Sequence, residues 1–342
     1  MDIRTDVSLK PYLTMQLGGN AHTMVDLYTN DDVVAVCTMA RQQQAELFVL
    51  GGGSNTLAQD SGFAGIVARN RIPGFSIIAE DDESTTITVG AGEVLDTIVA
   101  KTVASGLSGI EALSAIPGTA GAAPVQNVGA YGQEIADTLV SLEAYDRQQK
   151  RFVSLSATDC EFSYRHSIFR GREMGRYIIT SITLRLRKDL PRPPFYQAVQ
   201  DYLTTHAIAE PTPQDIRRAV MTIRAGKLPD PAKLPNTGSF FKNAIISSEE
   251  FSQLQQHYPT VPHYALPDGR VKVPSGWLIE QAGLRGSVLH GMKVHDKNAV
   301  VLINQSATSY RDLAAAREEI IRTVEEKFGI TIVQEPLEIP AA

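Results

Sequence analysis

Ile-Pro-Gly-Thr-Ala-Gly-Ala-Ala-Pro-Val-Gln-Asn-Val-Gly-Ala-Tyr-Gly, residues 116–132, is the stretch that decides the fold of this chain. Its four glycines and four alanines leave little side-chain bulk, so the main chain can approach a large molecule and donate hydrogen bonds to it. The longer polar side chains are Gln126, Asn127 and Tyr131, which suit the edge of a polar ring system. This composition favours a cradle for a bulky cofactor, although small residues also fill tight loops between strands.

A second glycine-rich turn lies upstream, at the end of a predicted buried strand over 47–50. Its residues are Gly51, Gly52, Gly53, Ser54 and Asn55. Asn30 is predicted to cap a helix over 31–44 ahead of that strand, so the turn lies at a strand's carboxyl end, where open sheets bind ligands. The turn has neither the third glycine of a dinucleotide fingerprint nor the Lys of a P-loop. A pyrophosphate site and a plain turn both remain open for this motif taken alone.

Length, charge and cysteine content limit the class of protein. The chain has 342 residues, enough for two or three domains, and a net charge of -6 that argues against a broad nucleic-acid surface. Cys37 and Cys160 are far apart and are predicted to be buried thiols. The N-terminus is acidic where a signal peptide would be basic, and no apolar run reaches membrane-spanning length. We therefore expect a cytoplasmic protein that binds neither nucleic acid nor membrane.

Periodicity along the chain predicts mixed helices and strands. Strands are predicted at 24–28, 65–69, 75–79, 85–89, 139–145, 152–155, 177–186 and 299–304. Further helices are predicted over 93–104, 213–225, 248–257, 275–282 and 310–328. Prolines near Lys227 indicate a hinge, and the helix-strand-helix order beyond it indicates a separate α+β unit.

Five motifs occur together and carry a resemblance to a known family. They are Gly-Gly-Gly-Ser-Asn at 51–55, the segment at 116–132, Tyr-Arg-His-Ser-Ile-Phe at 164–169, Gly-Ser-Phe-Phe-Lys-Asn at 238–243 and Gln-Glu-Pro at 334–336. In this order they resemble the UDP-N-acetylenolpyruvoylglucosamine reductases over nearly the whole chain. The segment around Phe195 is similar to the longer of the family's two subtypes. Ala244 and Asn298 depart from the family pattern, which usually has proline and often histidine there.

The resemblance implies an α+β fold. It consists of a two-subdomain FAD-binding fold of the vanillyl-alcohol-oxidase type plus a separate α+β substrate-binding domain. The implied boundaries are 1–70 and 71–228 for the two FAD-binding subdomains, 229–330 for the substrate-binding domain and 331–342 for a segment that returns to the active site.

The resemblance also implies a reaction, in which NADPH reduces non-covalently bound FAD and the flavin reduces the enolpyruvyl group of a UDP-sugar, a peptidoglycan precursor step. Arg165 is expected to hold the substrate carboxylate, Ser239 to donate a proton to carbon, and Glu335 to orient this cluster. Taken alone, these residues would more simply be a surface arginine, a turn serine and a solvated carboxylate.

The remaining implied contacts divide between substrate and cofactor. Substrate contacts are expected from Tyr131, Tyr196, Lys227 and Asn243, although Tyr196 has the alternative of a packed core aromatic. FAD contacts are expected from Gly51, Gly52, Gly53, Ser54, Asn55, Ile116, Pro117, Gly118, Gln126, Asn127 and Arg224. No metal site is expected, and the family implies a monomer.

Two other functions stay open at this point. One is a flavin oxidase or dehydrogenase of the same fold that acts on another substrate; such enzymes often tether the flavin to a histidine, and none lies near either glycine segment. The other is a non-catalytic UDP-sugar-binding protein, which would have no need of a proton donor at Ser239.

Overall fold

The structure is a computed structural model that describes residues 1–340. The polypeptide forms two compact units. Unit 1 contains residues 1–7, 21–52 and 64–226, and unit 2 contains residues 8–20, 53–63 and those from 227 onward. The finer division expected at 70, 228 and 330 stays a prediction, and residues 341 and 342 of its last segment lie outside the described residues.

Seven α-helices occur in the described part of the chain. They are α1 (Asn30–Gln42), α2 (Leu95–Ala104), α3 (Gln197–Thr205), α4 (Pro213–Lys227), α5 (Ser248–His257), α6 (Ser275–Gln281) and α7 (Tyr310–Phe328). Within residues 1–340, no helix combines the length and apolar character needed to span a membrane. The helices at 93–104, 213–225 and 275–282 were predicted to within about two residues of these bounds, and α5 and α7 match their predictions.

Twenty strands occur within the same residues. They are β1 (Asp2–Ser8), β2 (Asn20–Leu27), β3 (Leu47–Leu50), β4 (Thr56–Ala58), β5 (Phe63–Asn70), β6 (Phe75–Glu80), β7 (Ser84–Gly90), β8 (Gly129–Ala130), β9 (Gln133–Glu134), β10 (Leu139–Asp146), β11 (Arg151–Ser156), β12 (Tyr177–Arg187), β13 (Asn236–Ser239), β14 (Ala244–Ile246), β15 (Tyr264–Ala265), β16 (Val271–Val273), β17 (Val288–Leu289), β18 (Met292–Val294), β19 (Val301–Asn304) and β20 (Leu337–Ile339).

Unit 1 is built around two sheets. A four-stranded sheet has the order β1-β2-β5-β3, and a five-stranded antiparallel sheet has the order β11-β10-β12-β7-β6. The central strand β12 alternates in burial, and Ile182, Leu184 and Leu186 are fully buried. This alternation is the period-two pattern of a strand with one face on the core. Cys37 and Cys160 are buried free thiols, as predicted.

Unit 2 has its own core. Helices α5, α6 and α7 and strands β18 and β19 contribute to one hydrophobic cluster. Strands β13, β19, β18 and β17 form an antiparallel sheet in that order. β20 pairs in parallel with β4. The cluster contains Phe240 and Phe241, both almost fully buried. The α+β unit expected beyond Lys227 makes up most of unit 2, which also includes residues 8–20 and 53–63.

Two sequence predictions for unit 1 are wrong in detail. Thr29, not Asn30, caps α1, because its extended backbone lets its hydroxyl accept the Asp32 N–H at 3.1 Å while the Asp32 carboxylate accepts the Thr29 N–H at 3.1 Å. Helix α3 was not predicted, because only Val199 and Leu203 of its residues are buried and prolines precede it. These two side chains join the buried cluster of α4.

Candidate active site

In unit 1 the two glycine segments meet. A Cβ added to Gly52 would lie 2.9 Å from the Cα of Gly118, and one added to Gly51 would lie 2.8 Å from Thr119 Oγ1. Real Cβ atoms do not approach backbone this closely, so position 52 requires glycine, and a Cβ at position 51 would require the Thr119 side chain to move. The sequence predicted both segments as ligand-binding loops, and the structure brings 51–52 and 118–119 side by side.

The donors at this meeting point are not used by the protein itself. Within residues 1–340, the N–H groups of Gly51, Gly52 and Gly118 donate no hydrogen bond, and the buried hydroxyl of Thr119 has no partner. Gly52 is exposed and Gly51 and Gly118 are half-buried, so their N–H groups are open to a ligand or to solvent. Buried polar groups are almost always paired, so the Thr119 hydroxyl beside them favours a ligand that forms hydrogen bonds. A pyrophosphate fits this set, because nests of backbone N–H groups bind phosphate oxygens.

Asn127 holds the long segment in shape. Its amide nitrogen donates to Glu134 Oε2 at 2.5 Å and to the Ser163 carbonyl at 3.2 Å, and its amide oxygen accepts the Ala136 N–H at 3.2 Å. The residue is buried and adopts a left-handed backbone with φ of 46°. Because both the nitrogen and the oxygen of this amide are bonded to the protein itself, Asn127 fixes the shape of the segment at 116–132 by internal hydrogen bonds.

Arg165 lies against the same segment. Ser163 and His166 exchange two backbone hydrogen bonds of 3.1 Å, and Arg165 sits in this tight turn with φ of 53°. Arg165 Nη2 donates to the Gly129 carbonyl at 2.9 Å. A left-handed arginine is uncommon, and strained backbone of this kind concentrates at functional sites.

Tyr131, Tyr196 and Arg224 form a second group in unit 1. The rings of Tyr131 and Tyr196 stack edge to face with centroids 5.5 Å apart, and Tyr131, with φ of 50°, shares a hydrogen bond with Arg224. Burial raises the pKa of the Tyr131 hydroxyl and lowers that of the Arg224 guanidinium. Tyr196 is 43% exposed, so it is not the packed core residue that the sequence left open.

The sequence prediction missed an acidic partner in this region. Asp96 accepts Arg217 Nη1 at 2.5 Å, Arg217 Nη2 at 3.1 Å and the Ala115 N–H at 2.6 Å. Burial works to raise the pKa of Asp96, but the bonds from Arg217 and Ala115 outweigh it and hold the pKa below its usual range. No local sequence pattern links Asp96 to Arg217, because the two residues lie 121 positions apart.

In unit 2 the segment that carries Glu335 pairs with the residues that follow Ser239. Ser239 is the exposed last residue of β13, and the two residues after it are buried. The Glu335 N–H donates to the Phe240 carbonyl at 2.8 Å, and Phe241 pairs with Gln334 in an antiparallel bridge. The C-terminal segment therefore runs beside the residue predicted to donate a proton, and Glu335 is buried at 8% exposure.

The rest of the first glycine turn also lies in unit 2. A Cβ on Gly53 would lie 1.9 Å from the Tyr12 carbonyl oxygen, so this position, with φ of 66°, requires glycine. The Leu337 N–H donates to the Asn55 carbonyl at 3.0 Å, next to the segment that carries Glu335. Ser54 is half-buried.

The other predicted residues are dispersed. Asn243 is half-buried, and its amide oxygen accepts the Ser275 N–H at 3.3 Å. Lys227 is the exposed last residue of α4. The Gln126 amide oxygen accepts Arg170 Nη1 at 3.3 Å. Ile116 is half-buried and Pro117 is exposed; both directly precede Gly118.

Two family models match this chain. Residues 23–152 match the model described as FAD binding domain, and residues 230–339 match that of the C-terminal domain of UDP-N-acetylenolpyruvoylglucosamine reductase. The UDP-N-acetylenolpyruvoylglucosamine reductase of Dechloromonas aromatica is 39% identical over 98% of this chain and 99% of its own. The protein of the same name from Ralstonia nicotianae is 42% identical over 90% and 91% of the two chains.

Solved structures agree on the fold. The UDP-N-acetylenolpyruvylglucosamine reductase of Thermus caldophilus aligns with a TM-score of 0.66 at 24% identity, covering 98% of this chain and 99% of that one. The 6-hydroxy-D-nicotine oxidase of Arthrobacter nicotinovorans aligns with a TM-score of 0.52 at 14% identity, covering 96% and 86%. With the FAD-binding match, these similarities confirm the predicted α+β flavoprotein fold.

Proposed function

We propose that this chain, which belongs to the UDP-N-acetylenolpyruvoylglucosamine reductase family, reduces UDP-N-acetylglucosamine enolpyruvate to UDP-N-acetylmuramate. The observation that carries the proposal is the 39% identity over 340 residues, which covers 98% of this chain and 99% of the relative. The chain is an FAD-dependent oxidoreductase, with a match to the FAD binding domain over residues 23–152. NADPH is the proposed reductant.

The proposed cofactor contacts are those that the unused donors favour. Bound FAD supplies the hydride that reduces the vinyl carbon of the substrate, after taking it from NADPH. The backbone of Gly51, Gly52 and Gly118 and the Thr119 hydroxyl would hold its pyrophosphate. The proposed set also retains Gly53, Ser54, Asn55, Ile116, Pro117, Gln126, Asn127 and Arg224, with Asn127 acting through the loop that it shapes.

Arg165 is the proposed partner of the substrate carboxylate. When hydride adds to the vinyl carbon, negative charge spreads over the neighbouring carbon and this carboxylate. A guanidinium can meet a carboxylate in bidentate fashion and stays protonated throughout. The Gly129 carbonyl accepts from Nη2 of Arg165, which fixes the side chain and reduces the entropy lost on binding.

Ser239 is the proposed proton donor to the neighbouring carbon. Its exposure leaves the hydroxyl accessible, while the buried residues that follow it fix its backbone. A hydroxyl is a weak acid, but the developing carbanion is a strong base, so a positioned serine can serve. Glu335, held beside this strand by its own N–H, is the proposed positioning residue.

The proposed substrate contacts are Tyr131, Tyr196, Lys227 and Asn243. Exposure of Tyr196 and Lys227 is compatible with contacts to a sugar nucleotide, whose phosphates attract ammonium groups. We further propose that the protein acts as a monomer in the cytoplasm.

The direct test is anaerobic mixing. The holoprotein is reduced with one equivalent of NADPH, mixed with UDP-N-acetylglucosamine enolpyruvate, and followed by flavin absorbance. Rapid reoxidation with formation of UDP-N-acetylmuramate is expected, and UDP-N-acetylglucosamine, which lacks the enolpyruvyl group, should give none. Equal rates with both sugars, or none with either, would refute the substrate assignment. Acid precipitation should release the flavin, because the proposed attachment is non-covalent.

A further inference from the structure

A cavity of ≈ 320 Å³ lies in unit 1, lined by residues that the proposed function does not use. Its walls come from the C-terminal part of α1, from the end of β10 with the turn after it, and from the residues just before β12. Three of its lining residues, Arg41, Arg147 and Arg176, carry guanidinium groups, and no lining residue is acidic. The lining is therefore locally positive, although the chain as a whole carries a net charge of -6.

Two of these charges are not neutralised. Arg176 is paired with Asp146 at 2.6 Å and with Glu173 at 3.0 Å. Within residues 1–340, neither Arg41 nor Arg147 forms an ion pair with a carboxylate. The cavity therefore presents two positive charges without a counterion from the described part of the chain.

Both of these guanidinium groups are held in place. Arg147 Nη1 donates to the Gly175 carbonyl at 2.5 Å, and Arg41 Nη2 donates to Thr38 Oγ1 at 3.2 Å. Each of these bonds uses one N–H donor of a guanidinium that carries five. Pre-positioned guanidinium groups with donors to spare are suited to phosphate oxygens.

The rest of the lining is mostly apolar, apart from the exposed polar side chain of Gln148. Cys37 and Tyr145 are buried at 4% and 3% exposure, and Met174, at 51% exposure, lies at the opening. A methionine adapts its shape to different apolar groups. The cavity thus combines an apolar wall with a dicationic one, and its volume is at the lower end of the range for small-molecule sites.

We propose that this cavity, which we call the arginine pocket, binds a small phosphate monoester with an apolar substituent. A phosphate monoester carries about -1.5 to -2 charges at neutral pH, which matches the two unpaired guanidinium groups. Its substituent contacts Cys37 and Met174. Arg41, Arg147, Cys37 and Met174 all lie outside the residues proposed for flavin and sugar nucleotide, so the pocket is a separate site.

Calorimetric titration of the FAD-loaded protein with phenyl phosphate tests this proposal. The wild type is expected to bind with a Kd on the order of 1 mM or tighter. Two control variants at exposed positions outside the pocket, Arg151→Gln and the double variant Arg151→Gln/Arg192→Gln, should bind equally well. Arg41→Gln and Arg147→Gln should each weaken binding about tenfold. Arg41 is exposed near the end of α1, so its replacement leaves the core intact.

Two further arms locate the ligand and identify its class. Hydrogen exchange of peptides that contain residues 171–176 should slow with phenyl phosphate, and in Arg41→Gln it should not. Succinate at equal ionic strength should bind at least about tenfold more weakly than phenyl phosphate. Equal binding by wild type and Arg41→Gln would overturn the site, and tighter binding of succinate would overturn the phosphate assignment.

Discussion

Replacing Asn127 with alanine should destabilise unit 1 more than any surface change. The amide makes three hydrogen bonds, to the Glu134 carboxylate, the Ser163 carbonyl and the Ala136 N–H. These partners lie on two stretches of chain, residues 134–136 and the turn at Ser163, so one side chain ties the loop around residue 127 to both. Alanine at this position would keep the left-handed φ of 46° without the local bonds that make it tolerable for asparagine.

The magnitude follows from the individual contacts. The bond to the carboxylate is worth about 1.5 kcal/mol, at the low end for a charged partner because Glu134 is half-buried. The Ala136 N–H would lose its partner at a cost of about 1 kcal/mol, whereas the Ser163 carbonyl would still accept the His166 N–H. The left-handed alanine adds about 1 kcal/mol. We expect a loss of about 3.5 kcal/mol in the free energy of unfolding, a large fraction of the roughly 5–15 kcal/mol typical of a domain.

Urea unfolding of the holoprotein, at one fixed excess of FAD, measures this loss through flavin fluorescence. Asn127→Ala should lower the midpoint by about 1–2 M. Asn30→Ala is the matched control, because Asn30 is exposed at the start of α1 and its replacement should change the free energy by less than about 0.5 kcal/mol. An Asn127→Ala midpoint equal to that of the control would show that the amide does not hold the loop.

Three other outcomes are expected, for Thr29 and Asp146 in the same unfolding assay and for Gly52 in titration of the apoprotein with FAD. Thr29→Ala should cost about 1 kcal/mol, since Thr29 caps α1, and a loss with Asn30→Ala instead would contradict that assignment. Gly52→Ala would place a Cβ 2.9 Å from backbone and should weaken FAD binding, whereas Gly226→Ala, with nothing within 4 Å, should be neutral or stabilising by up to about 1 kcal/mol. The hydrogen bond from Arg176 holds the pKa of Asp146 below its usual range. The stabilisation that Asp146 contributes is therefore complete above the unfolded pKa of about 3.9 and is lost as the pH falls through the folded pKa. Asp146→Asn should reduce the loss of stability at acidic pH, and an unchanged loss would show that other groups cause it.

Strong periodicity made much of the fold predictable from sequence. The buried strand at 47–50 and the helix over 310–328 were predicted with the bounds that the structure shows. The cap of α1 was not, because Thr29 and Asn30 are both good capping residues and only the reach of the hydroxyl to Asp32 distinguishes them. Helix α3 was not predicted, because its short apolar face is buried against α4 and a local sequence pattern does not show that contact.

The candidate site was predictable in its motifs but not in its pairings. Both glycine segments were recognised from composition, yet their contact joins residues more than 60 positions apart. The ion pair of Asp96 and Arg217 spans 121 positions, and no local signal specifies it. The positive φ of Arg165 was likewise not predictable from sequence, since arginine has no preference for that conformation.

The most direct measurement of the central claim is a single-turnover comparison of wild type and Ser239→Ala, each reduced by NADPH and then mixed with UDP-N-acetylglucosamine enolpyruvate. Ser239 is exposed, so the variant should fold and accept electrons from NADPH at a rate close to that of wild type. Product formation should fall by at least about 10²-fold, because the carbon loses its proton donor. Formation of UDP-N-acetylmuramate by Ser239→Ala at the wild-type rate would contradict the account.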